Sequence, residues 1–158
     1  MPTNYFFITR WQIKAPVEEV WDAIYNSLEW PNWWKGVVAA QELEKGDENG
    51  INGIRKYTWK SVLPYKLQFS SRLTERENLK RLHGVAFGEL EGEGTWHFFE
   101  KEGITYLQYD WKVFTTKKWM NTFAFMLKPL FKYNHDVVMK WGAKGLAKKL
   151  NAELVSYK

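Results

Sequence analysis

Alternation with a period of two dominates the chain. Tyr5 to Lys14 alternates Phe7, Thr9, Trp11 and Ile13 with Phe6, Ile8, Arg10 and Gln12, the pattern of a strand. Ala15-Pro16 then opens a helix: proline suits the first turn, Glu18 and Glu19 favour the positive N-terminal end, and Val17, Val20, Trp21, Ile24 and Leu28 recur at helical spacing. Pro31 stops or kinks it, and Trp30, Trp33 and Trp34 crowd a short second helix. Period two returns in six further runs: Val37 to Leu43, Ile54 to Lys60, Tyr65 to Glu75, Leu79 to Phe87, Leu90 to Lys101 and Thr105 to Thr115. Their links are short, with Asn52-Gly53 and Glu102-Gly103 as turn signals, which predicts an antiparallel meander.

The alternation sorts each run into two faces. Arg55, Tyr57 and Trp59 share one, as do Tyr65, Leu67, Phe69, Ser71 and Leu73, then Leu90, Gly92, Gly94, Trp96 and Phe98, then Leu107, Tyr109, Trp111 and Val113. Opposite them stand Lys66, Gln68, Arg72, Glu91, Glu93, His97, Gln108, Asp110 and Lys112, so the sheet has one wet face and one aromatic face. Gly84, Gly88, Gly92 and Gly94 fall in neighbouring strands, where missing side chains let a sheet bend.

Lys117 to Leu150 is the longest helical pattern, with Pro129 expected to interrupt it. Beyond the proline, Leu130, Phe131, Asn134, Val137, Val138, Trp141 and Gly145 share a broad face, with Asn134 near its centre and His135 at its edge. The order is β-α-α-β6-α. It predicts an α+β fold in one domain over residues 1–158, a curved seven-stranded antiparallel sheet wrapped around a long C-terminal helix.

Composition changes this picture in one respect. Ten Trp, eight Tyr and ten Phe are too many rigid rings for one close-packed core of a 158-residue chain, so some are expected to line a cavity or sit exposed at its mouth. Zero cysteines exclude disulfides and thiolate zinc sites. His83, His97 and His135 show no paired metal-ligand spacing, so neither metal nor other cofactor is expected. No stretch matches a membrane span, and Met1 to Trp11 lacks the pattern of an export signal, so a cytoplasmic protein is expected. The net charge is +5, and the excess lysines lie between Lys112 and Lys149, either as a solvated face or as a patch for anionic partners.

The element order, together with Ala15-Pro16-Val17-Glu18-Glu19-Val20-Trp21 after the first strand, resembles the START and birch-pollen-allergen superfamily of helix-grip proteins (SRPBCC). Gly88 to Trp96, and the run Tyr133-Asn134-His135-Asp136-Val137-Val138-Met139-Lys140-Trp141-Gly142-Ala143-Lys144-Gly145-Leu146, look like its bacterial polyketide cyclase/dehydrase-like branch. The resemblance covers essentially the whole chain. It implies a ligand cavity between sheet and C-terminal helix and says little about chemistry, because carriers, receptors, cyclases and nucleases share that scaffold.

The candidate ligand-binding residues are Arg55, Tyr57, Trp59, Leu67, Phe69, Trp96, Phe98, Tyr109, Trp111, Asn134 and Val138. Asn134 either pins the helix or bonds a ligand, and its phase gives it more weight in selectivity than His135. His135 is a weak catalytic candidate or a packing histidine; its neighbour Asp136 points about 100° away on a helix and cannot pair with it. Arg55 either meets an anionic ligand group or snorkels to the rim. Trp30, Trp33 and Trp34 either cover the cavity or simply pack.

The leading expectation is binding of a hydrophobic or aromatic small molecule, lipid-like or polyketide-like. The first alternative is a cyclase/dehydratase acting on a folded poly-β-keto chain, for which no catalytic set is evident. The second is attachment of the basic C-terminal helix to a membrane surface or other anionic partner. A weak contact at most is expected there, with no nucleic-acid partner and no integral membrane association, because the lysines are scattered and the aromatics are expected inside.

Overall fold

The computed structural model describes residues 4–158. Strand β1 (Asn4–Ile13) buries Tyr5, Thr9, Trp11 and Ile13, which settles which of its two faces points inward. Helix α1 (Val17–Tyr25) buries Val20, Trp21, Ala23 and Ile24. Pro16 stands one position earlier than predicted, as an extended cap, and offers no side-chain bond to the helix end. The Glu100 carboxylate takes that role across the fold, accepting from the Val17 N–H at 2.6 Å. A single 3-10 turn (Ser27–Glu29) leads into the one-turn helix α2 (Trp30–Trp33).

Strands β2 (Val37–Glu44), β3 (Ile54–Trp59), β4 (Leu67–Glu77), β5 (Arg81–Gly88), β6 (Leu90–Lys101) and β7 (Ile104–Thr115) form the predicted meander. Glu102 (φ 54°) and Gly103 (φ 78°) both take left-handed backbone, as a two-residue primed hairpin requires. Helices α3 (Lys118–Thr122) and α4 (Ala124–Lys149) follow, and strand β8 (Leu154–Tyr157) ends the chain. The sheet is antiparallel throughout, in the order β2-β3-β4-β5-β6-β7-β1-β8.

Two predicted features are corrected. The sheet has eight strands, not seven, because Leu154–Tyr157 pairs with β1. Leu154-Val155-Ser156-Tyr157 does not alternate apolar with polar residues, so the period-two signal is missing there. The C-terminal helical region breaks at Phe123, not at Pro129, which lies inside α4. The carbonyl that Pro129 leaves without a helical donor is that of Phe125, and Phe125 is 79% exposed, so water can replace the lost bond.

Curvature comes from the glycines. Gly84 and Gly94 are directly paired across β5 and β6, with Gly92 two residues along. A Cβ on Gly94 would meet the Tyr109 hydroxyl at 2.5 Å and the Trp111 ring at 2.8 Å, so its absence lets both rings lie flat against the sheet. The second half of α4 fills part of the groove with Val138, Met139, Gly142, Ala143, Leu146 and Ala147. Among the described residues no helix is long and apolar enough to cross a membrane.

Candidate ligand cavity

The groove is not filled along its whole length. Gly142 and Gly145 bring the end of α4 close to the tryptophan turn of α2, whereas no residue of its first ten is buried. A Cβ on Gly142 would meet the Trp34 indole at 2.5 Å, and one on Gly145 would meet the Trp33 carbonyl oxygen at 2.0 Å. The Trp34 indole N–H donates to the Val138 carbonyl at 2.8 Å, and the Trp30 N–H to the Ala23 carbonyl at 3.2 Å. Trp30 and Trp34 are therefore buried walls and not an outer cover.

Between these walls, the sheet and the first half of α4 lies a cavity of about 120 Å³. Of the residues singled out in the sequence, Trp59, Leu67, Phe69, Trp96, Tyr109, Trp111, Asn134, His135 and Val138 line it. Tyr5, Phe7, Leu63, Tyr65, Leu90, Val113, Thr115, Met120, Phe131 and Met139 line it as well and were not singled out as ligand contacts. The inward face of β1 could have been chosen from its Tyr5, Phe7, Trp11 series. Leu63, on the β3–β4 loop, gives no periodic signal.

A second cavity of about 140 Å³ shares Trp30, Trp59, Phe69, Trp96, Tyr109 and Trp111 with the first. It receives Arg55 and Tyr57. Arg55 is fixed through one nitrogen, Nη1, which donates to the Tyr25 carbonyl at 2.9 Å and to Ser27 Oγ at 2.8 Å, two uncharged acceptors that leave its positive charge in place. Ser27 Oγ also shares a 2.6 Å hydrogen bond with the Tyr57 hydroxyl. Burial pushes the Tyr57 hydroxyl pKa up, and Ser27 and Arg55 oppose that shift. Phe98 lines neither cavity; it is buried against Trp21, ring centroids 5.0 Å apart.

The helix phase differs from the predicted one. The buried residues Val138, Met139, Gly142, Ala143 and Leu146 are centred about one residue, roughly 100°, from the Asn134-Val138-Trp141 face, and extrapolating backward through them meets His135. Hydropathy pointed to the bulky side chains, whereas close approach selected the small ones. Asn134 accepts a 2.5 Å hydrogen bond from Ser61 Oγ, tying α4 to the β3–β4 loop. His135 instead stacks on Phe7 at 4.2 Å between ring centroids, and neither of its ring nitrogens makes a hydrogen bond among the described residues. Asp136 Oδ1 stays 3.9 Å from His135 Nδ1, beyond hydrogen-bond range, and the other Asp136 oxygen pairs with Lys132 at 2.8 Å.

Three other groups on the cavity wall share this condition: the Tyr5 and Tyr65 hydroxyls and the Trp59 indole N–H have no hydrogen-bond partner among the described residues. Burial lowers the His135 pKa to about 4, so the ring is uncharged at neutral pH. Burial pushes Tyr5 up to about 12; burial, then the nearby Glu89 carboxylate and Tyr5 itself, do the same for Tyr65. Tyr109 is also raised by burial. A histidine–carboxylate pair does exist, His97 Nε2 to Asp110 Oδ2 at 3.2 Å, but it lies on the wet face of the sheet, away from both cavities. These are diagonal neighbours on adjacent strands, a relation that only the strand register reveals.

Not all of the aromatics are inside. Phe125 and Met126 are 79% and 60% exposed, and Trp119, Phe123 and Tyr133 are also exposed. No residue in 124–133 is buried.

Residues 9–157 match the sequence model of the family described as polyketide cyclase/dehydrase and lipid transport, so the chain belongs to that family. No curated protein matches the chain in a sequence comparison. Among solved structures, the Zhui aromatase/cyclase of a Streptomyces species superposes with a TM-score of 0.77 at 10% identity, over 94% of each chain. A Thermus thermophilus protein does so with a TM-score of 0.75 at 17% identity, over 92% of this chain and 97% of that one. A START superfamily protein of Mycobacterium smegmatis gives 0.74 at 12%, over 92% and 97%. At these identities the likeness is one of fold, the helix-grip α+β fold.

Proposed function

We propose that this member of the polyketide cyclase/dehydrase and lipid transport family binds a hydrophobic or aromatic small molecule in the cavity between the sheet and α4. The observation that carries the reading is the cavity itself, about 120 Å³ of space walled by Trp, Tyr, Phe and Leu side chains. Interiors are otherwise close-packed, so a gap of this size with an apolar lining suits uptake of an apolar molecule. An engineered apolar cavity of about 150 Å³ in another protein takes up benzene, so the volume suits one ring system, and the second cavity behind the shared aromatic wall offers room for a longer molecule. Burial of apolar ligand surface supplies the affinity, at about 25 cal/mol per Å².

Cyclisation of a poly-β-keto chain would need a base and donors around the reacting carbons. The Arg55–Ser27–Tyr57 cluster is bonded within itself, the His97–Asp110 pair faces solvent, and His135, which does line the cavity beside Tyr5 and Tyr65, is a weak base because burial lowers its pKa to about 4. Binding without turnover is therefore the reading preferred. The test is titration with a neutral apolar fluorophore: one equivalent bound, with quenching of tryptophan emission.

A second reading, attachment to anionic lipid surfaces, is favoured by the exposed Trp119, Phe123, Phe125, Met126 and Tyr133 among Lys118, Lys128 and Lys132. Apolar rings beside lysines suit the boundary between headgroups and acyl chains. The same two helices supply Met120 and Phe131 to the cavity wall, and Trp119 meets Tyr65 edge-on at 5.5 Å, so a surface-bound ligand would have a short path inward.

A further inference from the structure

We propose that the cavity accepts a neutral ligand with an apolar ring body and a hydroxyl group, that His135 accepts the hydrogen bond from this hydroxyl, and that the Tyr5 and Tyr65 phenols donate to oxygen elsewhere on the ligand. The inference rests on the binding reading above and adds the chemical class of the ligand.

Its basis is where the unpartnered polar groups lie. His135, Tyr5, Tyr65 and Trp59 all lack hydrogen bonds among the described residues, and all line one otherwise apolar cavity. Buried polar groups are nearly always bonded, so four orphans around one space mark the positions of a ligand's polar atoms. A packing histidine would have bonded to a carbonyl or a side chain; this one is held by a stack on Phe7, which fixes the ring plane and leaves its nitrogens open. Asn134 is a poorer anchor because its amide oxygen already accepts from Ser61.

Donor and acceptor capacity narrows the class. The Trp59 N–H only donates, the two phenols can donate, and a neutral imidazole presents one N–H donor and one unprotonated nitrogen, the acceptor of the set. A ligand bearing one hydroxyl and one or more carbonyl or ether oxygens satisfies that set. Charge narrows it again: among the described residues no Lys, Arg, Asp or Glu lines this cavity, and burial keeps His135 uncharged. Two carboxylates act on the wall from outside it, and each is paired with a lysine: Asp136, 3.9 Å from His135, with Lys132 at 2.8 Å, and Glu89, which raises the pKa of Tyr65, with Lys117 at 3.0 Å. A carboxylate ligand would lose its hydration with no countercharge in return.

The test compares naphthalene, naphthol and naphthoate by calorimetric titration of the wild-type protein, His135→Phe and His135→Gln. The expected result is naphthol bound about tenfold more tightly than naphthalene by the wild-type protein, the equivalent of about one hydrogen bond, with naphthoate at least about tenfold weaker than naphthol. In His135→Phe the preference for naphthol over naphthalene falls to near parity; in His135→Gln, whose amide oxygen still accepts, part of it survives. Equal binding of naphthol and naphthalene by the wild-type protein overturns the inference and leaves the binding reading standing. So does naphthoate binding as tightly as naphthol, or a folded His135→Phe that keeps the full preference. Failure of all three molecules to bind overturns the binding reading itself, and the inference with it.

Discussion

His135 lies face to face with Phe7, ring centroids 4.2 Å apart and planes 16° from parallel, so one stack joins the first strand to the C-terminal helix inside the cavity wall. An uncharged imidazole suits that position. An imidazolium there would lose its hydration, and although the Asp136 carboxylate 3.9 Å away favours the charged form, burial outweighs it and lowers the pKa from 6.5 to about 4.

Acid should therefore weaken the fold through this residue. The unfolded chain takes up a proton on His135 near its reference value of 6.5, while the folded protein resists until about 4. The contribution is fully present above pH 6.5, declines as pH falls toward 4, and is lost below that; the shift corresponds to about 3 kcal/mol. Denaturant melts of wild type and His135→Phe across that range should diverge, the variant showing the flatter acid limb. Parallel curves would mean that the imidazole is not desolvated as described.

The close approach of α4 to the tryptophan turn predicts an unequal cost for two glycine substitutions. Gly142→Ala confronts a side chain, the Trp34 indole at 2.5 Å, whereas Gly145→Ala confronts backbone, the Trp33 carbonyl oxygen at 2.0 Å. Both should destabilise by about 1–3 kcal/mol despite the better helix propensity of alanine, with Gly145→Ala the worse because backbone yields less readily. Thermal melts decide it; a gain in stability for either variant would contradict the packing.

Asn134→Leu should act on the β3–β4 loop more than on ligand choice. The variant loses the bond from Ser61 Oγ and about 1 kcal/mol of stability, and a double-mutant cycle with Ser61→Ala should show coupling. The ratio of naphthol to naphthalene affinity should hardly change. A collapse of that ratio in Asn134→Leu would transfer the anchoring role from the His135 imidazole to the amide.

The strands, their faces and the aromatic groove were legible in the sequence because period-two alternation carries that information directly. Leu67, Phe69 and Trp111 could be placed in that way. The helix phase was not legible: Gly142 is buried because nothing larger fits beside Trp34, and hydropathy gives no weight to a residue for being small. Nor was the bonding of Arg55, since Tyr25 and Ser27 lie about 30 residues away in sequence and meet it only in the folded chain. Phe98 shows the limit of the face argument, for residues on one face of β6 divide between cavity wall and solid core along its length.

Vesicle flotation addresses the exposed rings. Vesicles rich in phosphatidylglycerol should retain the protein at low salt, and the combined variant Phe125→Ala, Met126→Ala should weaken retention severalfold. Added salt should weaken it too, since charges in solvent are screened beyond about 8 Å at physiological ionic strength. No retention at low salt would dispose of the second reading without touching the cavity.

The central claim is that the cavity holds a ligand, and occupancy competition tests it most directly. Val138 is buried on the cavity wall, so Val138→Trp should fill the space. Wild-type protein should bind one equivalent of neutral N-phenylnaphthylamine with quenching of tryptophan emission, and Val138→Trp, verified as folded by circular dichroism, should bind none. Leu67→Trp, on the opposite wall, provides the same test should Val138→Trp fail to fold. Equal binding by the folded variant and the wild-type protein, or no binding by the wild type, would contradict the account.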